Sequence, residues 1–300
     1  KIAAGLVNPF IGPKLNTPLD IEKCFTEINH FGDYYEKMWG ERFYHSIPMY
    51  RVFKTSKQAD FWVDRSKETP HFCYRPGIIN TQDASSLGIR APYGMGVTKC
   101  LRLHIQSFIG YSRHKLMKNG QWIEGPVDYN RFDYPKIIFC EGFRVLNNPW
   151  FSFIPVAPVR GETIGIDSYL ETSASNGTWA IPVSRKHFMA GSTWDHEDLE
   201  TGPSQKAKEQ ILRSLDFLKI DPGKVSKQLS GVRTGTIDRN PILGSHPQNK
   251  QVFIFNGFGS RGATTIPLHA KQMVEYILNS TPLPPSVDIA RFKEFKALNK

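Results

Sequence analysis

Two stretches near the end of the chain carry residues whose type and spacing could do chemistry. The first is Asn256-Gly257-Phe258-Gly259-Ser260-Arg261-Gly262. It follows Val252 to Phe255, an apolar run that predicts a buried strand. It precedes Ile266 to Leu278, whose pattern predicts a helix with Pro267 in its first turn. Strand, glycine turn and helix in that order leave backbone N–H groups at a positive helix end, a place for an anion or a polar ligand. Gly257, Gly259 and Gly262 match G-x-G-x-x-G, but a dinucleotide fingerprint should open a βαβ unit with an acid about 20 residues on. Here the helix runs into Pro282, Pro284 and Pro285, and no second strand follows. Two other readings stand. The turn is one that only glycine can make, or its N–H groups face a cofactor whose phosphates are held elsewhere.

The second stretch is Gly231-Val-Arg-Thr-Gly-Thr-Ile-Asp-Arg-Asn-Pro-Ile-Leu-Gly244, read as turn-rich and polar with an apolar end. Arg233 stands between Gly231 and Gly235, where the backbone is free to approach a pocket. Its planar fork suits two-pronged capture of a carboxylate. Taken alone, a surface arginine in a turn is the simpler reading. Near the start, Ala3-Ala4-Gly5-Leu6-Val7-Asn8-Pro9 is a run of small residues that either lets the backbone approach something flat and large or is an ordinary loop.

Other chemistries leave no trace. Gly-x-Ser-x-Gly, His-Glu-x-x-His and the P-loop lysine are absent, and none of the nine histidines forms an i, i+4 pair. Cys24, Cys73, Cys100 and Cys140 are far apart and lack zinc-ligand spacing, so free thiols in a reducing compartment are expected. Asp195, Glu197 and Asp198 beside Trp194 read as a solvated loop.

Several elements must position these residues. Thr17-Pro18-Leu19-Asp20 resembles a capping box, and Ile21, Phe25, Ile28, Phe31, Tyr35 and Met38 recur at helical spacing, predicting a helix over 18–39. Tyr50 to Phe53, Phe61 to Val63 and Gly77 to Asn80 read as short strands, and a glycine turn at 94–96 leads into a mixed segment ending near 117. Lys136-Ile-Ile-Phe-Cys-Glu-Gly142 has the unalternating apolar character of a central parallel strand. Phe151 to Val159 is limited by Pro155 and Pro158 to an edge or crossover. Trp179, Ile181 and Val183 alternate with small or polar residues before Phe188-Met-Ala-Gly-Ser, predicting an antiparallel hairpin. Helices are expected over 204–218 and 288–299.

At 300 residues the chain is long enough for one large or two ordinary domains, and 40% apolar with 12% aromatic residues is ample for a core. A net charge of +10 favours anionic partners: phosphate cofactors, carboxylates or RNA. That charge is spread, with no Lys/Arg block. No apolar run reaches the roughly 18 residues of a membrane span. The start, Lys1-Ile-Ala, lacks an initiator Met and a signal-peptide core, as though the chain begins inside a domain.

Five pieces in order give this chain a resemblance to the flavin-dependent oxidoreductases of the D-amino acid oxidase and glycine oxidase type. They are Ala3-Ala-Gly-Leu6, Ile137-Ile-Phe-Cys-Glu-Gly142, Pro158-Val-Arg-Gly-Glu162, Gly231 to Gly244, and Gly257-Phe-Gly-Ser-Arg-Gly262. The resemblance implies an α/β (α+β) fold: a Rossmann-like parallel-sheet domain for FAD, built from 1–16, 91–160 and 226–285, an antiparallel-sheet substrate domain from 17–90 and 161–225, and a C-terminal helix over 286–300. It implies FAD as cofactor, held by Ala3, Ala4, Gly5, Leu6, Cys140, Gly142, Gly257, Phe258, Gly259, Ser260, Arg261 and Gly262. Arg233 would clamp a substrate carboxylate, and the reaction would be oxidation of an amine or amino acid carrying that group. A cytoplasmic enzyme with a small-molecule substrate, no metal and no membrane partner is expected; the oligomeric state stays open. That family also opens with a strand, a G-x-G-x-x-G turn and a ribose-binding acid. None of these precedes Ala3 here, so the expectation is that they stand upstream of Lys1, the alternative being a remnant with no pyrophosphate site. Two other functions stand beside this one. One is a related flavin enzyme acting on a carboxymethylaminomethyl-type tRNA base, which the positive charge would suit. The other is a non-catalytic binding protein on the same fold.

Overall fold

The structure is a computed structural model that describes residues 2–10, 12, 14–18, 20–130, 133–219 and 224–292. By its contacts the chain divides into two compact units. Unit 1 comprises Lys1–Glu22, Gly32–Phe108 and Gly161–Gly231, and unit 2 comprises Lys23–Phe31, Ile109–Arg160 and Val232–Lys300.

Unit 1 is organised by a sheet that has nine strands among the described residues, eight of them in one continuous order. β1 (Leu6–Val7), β4 (Met95–Leu103), β2 (Tyr44–Val52), β7 (Ser173–Ser175), β8 (Trp179–Ser184), β9 (His187–Gly191), β6 (Val156–Asp167) and β10 (Lys224–Thr236) follow one another across it, and β3 (Cys73–Ile79) adds to β4. Most pairs are antiparallel, β2 with β7 being parallel. One face is covered by an apolar core that includes Met95, Val97, Ile164, Ile166, Ala180 and Phe188. The expected hairpin is β8–β9, with Ile181 opposite Met189.

α2 (Ser56–Glu68) stands where Phe61 to Val63 had predicted a strand. The helix buries Ala59, Trp62 and Ser66, and the Thr55 hydroxyl caps it by accepting from Gln58 N at 3.3 Å. Trp62 is fully buried over Gly96, where a Cβ would stand 2.2 Å from the indole. α3 (Thr81–Ser86) and α5 (Gln205–Arg213) complete the layer, the latter within the expected span. α1 is Ile21–Trp39, as its periodicity predicts.

Unit 2 holds a three-stranded sheet in the order β11 (Ile242–Ser245), β12 (Val252–Asn256), β5 (Ile137–Phe139). β12 and β5 run parallel, so Val252 faces Ile137 and Ile254 faces Phe139. Phe139, Phe151, Ile242, Val252 and Ile254 form the core on one side; Leu243, Phe253 and Met273 pack on the other with α6 (Gly262–Asn279). β12 is buried on both faces, which accounts for its unalternating apolar run, whereas β5, expected as a central strand, ends the order of this sheet among the described residues and leaves Ile138 exposed. Pro267 lies inside α6, because the helix starts at Gly262 and not near Ile266.

The division departs from the expected boundaries at the N-terminus. Residues 1–16 were expected with 226–285, but β1 pairs with β4 and joins unit 1, as does the 91–108 stretch that contains β4. Gly231–Gly244 is also mostly strand, not turn: β10 runs to Thr236. The segment expected as a C-terminal helix has a short 3-10 turn at Ile289–Phe292, and 293–300 lie outside the described residues. α4 (Ile105–Lys118) was not anticipated. Among the described residues no helix is long and apolar enough to cross a membrane, and no cluster of His, Cys, Asp or Glu could hold a metal ion.

Candidate functional site

The chemistry-bearing stretches of unit 2 meet at one corner, where the ends of β5, β10 and β12 come together. The Asn256 side chain ends β12 and ties the corner: its Nδ2 donates to the Gly142 carbonyl at 2.8 Å, and its Oδ1 accepts from Gly257 N at 2.8 Å. Gly259 N donates to the Thr234 carbonyl at 2.8 Å, fixing the glycine turn to β10. A Cβ on Gly142 would stand 3.4 Å from Thr234 Oγ1, and one on Gly259 would stand 3.7 Å from Gly235 Cα. Gly142, Gly257 and Gly259 have φ of +61°, +80° and +55°, a region glycine enters without penalty. At Gly257 the approach is also close, since a Cβ would meet Thr236 Cγ2 at 2.9 Å.

The corner is walled by groups that have their own partners. Glu141, next to Gly142, accepts from Tyr129 Oη at 2.6 Å and from Asn148 Nδ2 at 2.7 Å. The hydrogen bond to Glu141 pushes the Tyr129 phenol up. Phe258 packs on Phe255 at 4.6 Å between ring centroids and faces His269 at 6.1 Å. The Arg261 guanidinium donates to the Arg239 carbonyl, and the Arg261 carbonyl accepts from Thr264 N and Thr265 N as α6 begins. Ser260 is exposed, and Gly262 starts the helix.

Arg233 is half-buried on β10, and burial lowers its pKa from the ordinary guanidinium value. An arginine keeps its charge at neutral pH despite such a shift. Its neighbour Thr234 is 7% exposed, and its hydroxyl has no hydrogen-bond partner among the described residues.

Not every candidate belongs to the corner strands of unit 2. Cys140 is exposed at the end of β5, with Sγ 3.9 Å from the Ile138 carbonyl. Ala3, Ala4, Gly5 and Leu6 belong to unit 1. There a Cβ on Gly5 would lie 2.0 Å from the Leu103 carbonyl oxygen, while Leu103 N donates to Gly5 O at 2.8 Å. Ala4 and Leu6 pack against Met49, Cys100 and Ile181. The smallness of Gly5 therefore has a cause within that sheet. Asn256 and Thr234 were missed, although both stand inside the stretches singled out; Glu141 was quoted, but its tyrosine and asparagine partners have no sequence signal.

The profile of the FAD dependent oxidoreductase family, DAO, matches residues 112–276, more than half of the chain. The chain belongs to the DAO family. FAD is the cofactor of that family, and the matched residues include all of β5, β10, β11 and β12. Among DAO relatives, the glycine oxidase of Bacillus licheniformis is 24% identical over 129 residues, 41% of this chain and 35% of that protein. The tRNA 5-methylaminomethyl-2-thiouridine biosynthesis bifunctional protein MnmC of Caulobacter vibrioides is 29% identical over 139 residues, 43% of this chain and 22% of its own length. These matches thus span about a third or less of each relative. In fold, the chain is similar to glycine oxidase from Geobacillus kaustophilus, with a TM-score of 0.74 and 17% identity over 97% of this chain and 86% of that one. It is also similar to iminodiacetate oxidase from Chelativorans sp. BNC1, with a TM-score of 0.71 and 15% identity over 95% and 88%.

The residues of the corner fit the DAO cofactor. At Gly142 and Gly259 an added Cβ would meet nothing nearer than 3.4 Å and 3.7 Å, so the absence of side chains there leaves room for a flat ring, whereas Gly257 is packed against Thr236 and Ile242.

Proposed function

We propose that this chain carries the ring-facing and substrate-facing parts of an FAD-dependent oxidoreductase that oxidises an amine or amino acid bearing a carboxylate. The convergence of Gly142, Gly257 and Gly259 on the strand that carries Arg233 is the observation that supports this most. FAD, when bound, supplies the hydride acceptor. Gly142 and Gly259 keep side chains out of the ring's space, Gly257 makes the tight turn between them and β12, and the N-terminus of α6 places a positive dipole end beside the ring, favouring negative charge. Arg233 holds the substrate carboxylate through its fork and so orients the amine-bearing carbon. Burial strengthens such a pair because water screens it less. No side chain needs to act as base if the amine is bound neutral. Resemblance alone adds Ala3–Leu6, Cys140, Phe258, Ser260, Arg261 and Gly262 to the cofactor set, and on this reading unit 2 is the flavin domain and unit 1 the substrate domain. Among the described residues Cys24, Cys73, Cys100 and Cys140 form no disulfide, which suits a reducing, cytoplasmic setting.

The test is anaerobic. The purified, FAD-loaded full-length protein is mixed with glycine, N-substituted glycines and larger amino acids. Bleaching of the visible flavin band by one of these, and its loss in Arg233→Ala, is the expected result. No bleaching by any carboxylate-bearing amine would remove the substrate class.

One observation favours a second substrate. A net charge of +10 and similarity to MnmC proteins support a carboxymethylaminomethyl-type tRNA base as the amine. The reacting group would be the same; the affinity would come from RNA phosphates.

A further inference from the structure

Arg102, on β4 in unit 1, is a half-buried cation that pairs with no carboxylate among the described residues. A charge taken part-way out of water without a counter-ion is costly, and arginine cannot escape by losing its proton. One end of the fork is fixed: Nη1 donates to the Pro182 carbonyl on β8 at 2.7 Å. Nε is shut off from water and has no partner, while Nη2, also without a partner among the described residues, stays open to solvent. In a planar guanidinium Nε–H and Nη2–H point along one edge, so the tie to Pro182 orients the fork and leaves that edge unused. The surroundings of Arg102 are mainly apolar. Its register partners are Leu6 on β1 and His45 on β2, and the His45 Nε2 lies 3.0 Å from the Arg42 carbonyl oxygen. Two residues back along β4, on the same face, Cys100 packs with Met49 and Ile181, all three buried. Leu6, Ile47 and Trp179 lie against that floor and remain partly exposed.

We propose that Arg102 is the charged end of an organic-acid site in unit 1: Nη2 donates to the carboxylate of a small monocarboxylic acid whose apolar body lies on Leu6, Ile47 and Trp179. The unpartnered Nε–H adds its positive edge on the same side. One fixed cation beside apolar side chains suits a single charge on an apolar body; a phosphate dianion would bring a second charge and more oxygens than this edge can meet. The site does not rest on the flavin reading and does not use Arg233.

The test is calorimetric titration of the full-length protein, as purified, with hexanoate and with 1-hexanol, which has the same apolar body and no charge. The Arg233→Ala protein is the starting point, so that a carboxylate clamp at Arg233 cannot supply the signal. It is expected to bind hexanoate, and to bind hexanol about 10-fold or more weakly, the range for one charge-assisted hydrogen bond. Adding Arg102→Gln should weaken hexanoate by the same factor and leave hexanol unchanged. Adding Arg102→Lys, which keeps the charge and loses the fork, should fall between. Hexanoate bound equally well with Gln at position 102 would overturn the proposal, as would hexanol binding as tightly as hexanoate. Equal weakening of hexanoate and hexanol by Arg102→Gln would make Arg102 a packing residue and overturn it too. No hexanoate binding by the Arg233→Ala protein would do the same. If the Gln protein does not fold, the Lys protein and the hexanoate–hexanol comparison decide.

Discussion

On the proposed reading, Arg233 supplies charge and the glycines next to it supply space. Arg233→Ala should raise KM for a carboxylate-bearing amine by roughly 10²-fold, for loss of a charge-assisted two-pronged contact, while kcat for bound substrate falls less. Steady-state kinetics across the same substrates decides it, and an unchanged KM would take the carboxylate away from Arg233. The glycines fail differently. Gly257→Ala brings both a φ of +80° and a Cβ 2.9 Å from Thr236 Cγ2, so the fold itself should lose roughly 2 kcal/mol. At Gly259 a Cβ would meet nothing nearer than Gly235 Cα at 3.7 Å, so the stability cost of Gly259→Val comes from placing a β-branched residue at a φ of +55°. Flavin retention should fall in both, and both should unfold earlier in urea. Equal retention in Gly259→Val would show that no ring approaches that turn. The glycine spacing could be read from the chain because positive φ is a local demand. The Asn256 tie to Gly142 could not, since it joins residues 114 apart in sequence.

At the scale of elements, the loop that follows β10 is held by one ion pair. Arg291 Nε donates to Asp238 Oδ2 at 2.7 Å, with side chains 16% and 34% exposed, and Nη2 reaches the Asn240 and Pro241 carbonyls at 3.2 and 2.9 Å. Partial burial by itself pushes the Asp238 carboxyl up, but Arg291, the Asn240 N–H and the Thr236 hydroxyl outweigh it and hold the group below its ordinary value. A carboxylate with a depressed folded-state pKa contributes stability that is full above its unfolded value and disappears as pH falls through the folded one. The contribution of Asp238 should therefore fade from about pH 4 downward. Asp238→Asn should flatten that part of the acid unfolding curve, and Arg291→Ala should cost about 2 kcal/mol at neutral pH, for loss of charge-assisted bonds. Identical acid limbs for wild type and Asp238→Asn would show that the pair does not couple to folding. Element types were legible where burial follows one period: α1, β12 and the β8–β9 hairpin. They were not where a single side chain dominates. Phe61-Trp62-Val63 reads as a strand, but the buried set is Ala59, Trp62 and Ser66, and the deciding partner, Gly96, is 34 residues away. β10 was hidden for the opposite reason, because its glycines and polar residues are those of the corner and not of an ordinary strand.

Across the whole molecule the chain passes between its two units inside α1, α4, β6 and β10, so neither unit is a continuous segment. That explains why the boundaries could be seen only in part. The Lys136–Gly142 and Gln251–Gly262 stretches were expected together, and their strands β5 and β12 do pair. The first residues were expected with them, but β1 pairs with β4, and a small-residue run looks the same whether it borders a ring or the Leu103 backbone. Net charge is the one property of the entire chain that bears on substrate, and it separates the two substrates proposed. A free amino acid needs Arg233 alone; a tRNA base attached to its polyanion would also engage the scattered lysines and arginines. Retention of tRNA by the full-length protein should then fall steeply with salt, with log K declining by about 0.7–0.9 per phosphate neutralised for each tenfold rise in salt. Arg233→Ala should leave that slope intact, since it concerns the carboxylate and not the phosphates. Filter binding across a salt series measures both. A slope near zero, together with flavin bleaching by a free amino acid, would assign the positive charge to the surface alone and leave the small-molecule reading.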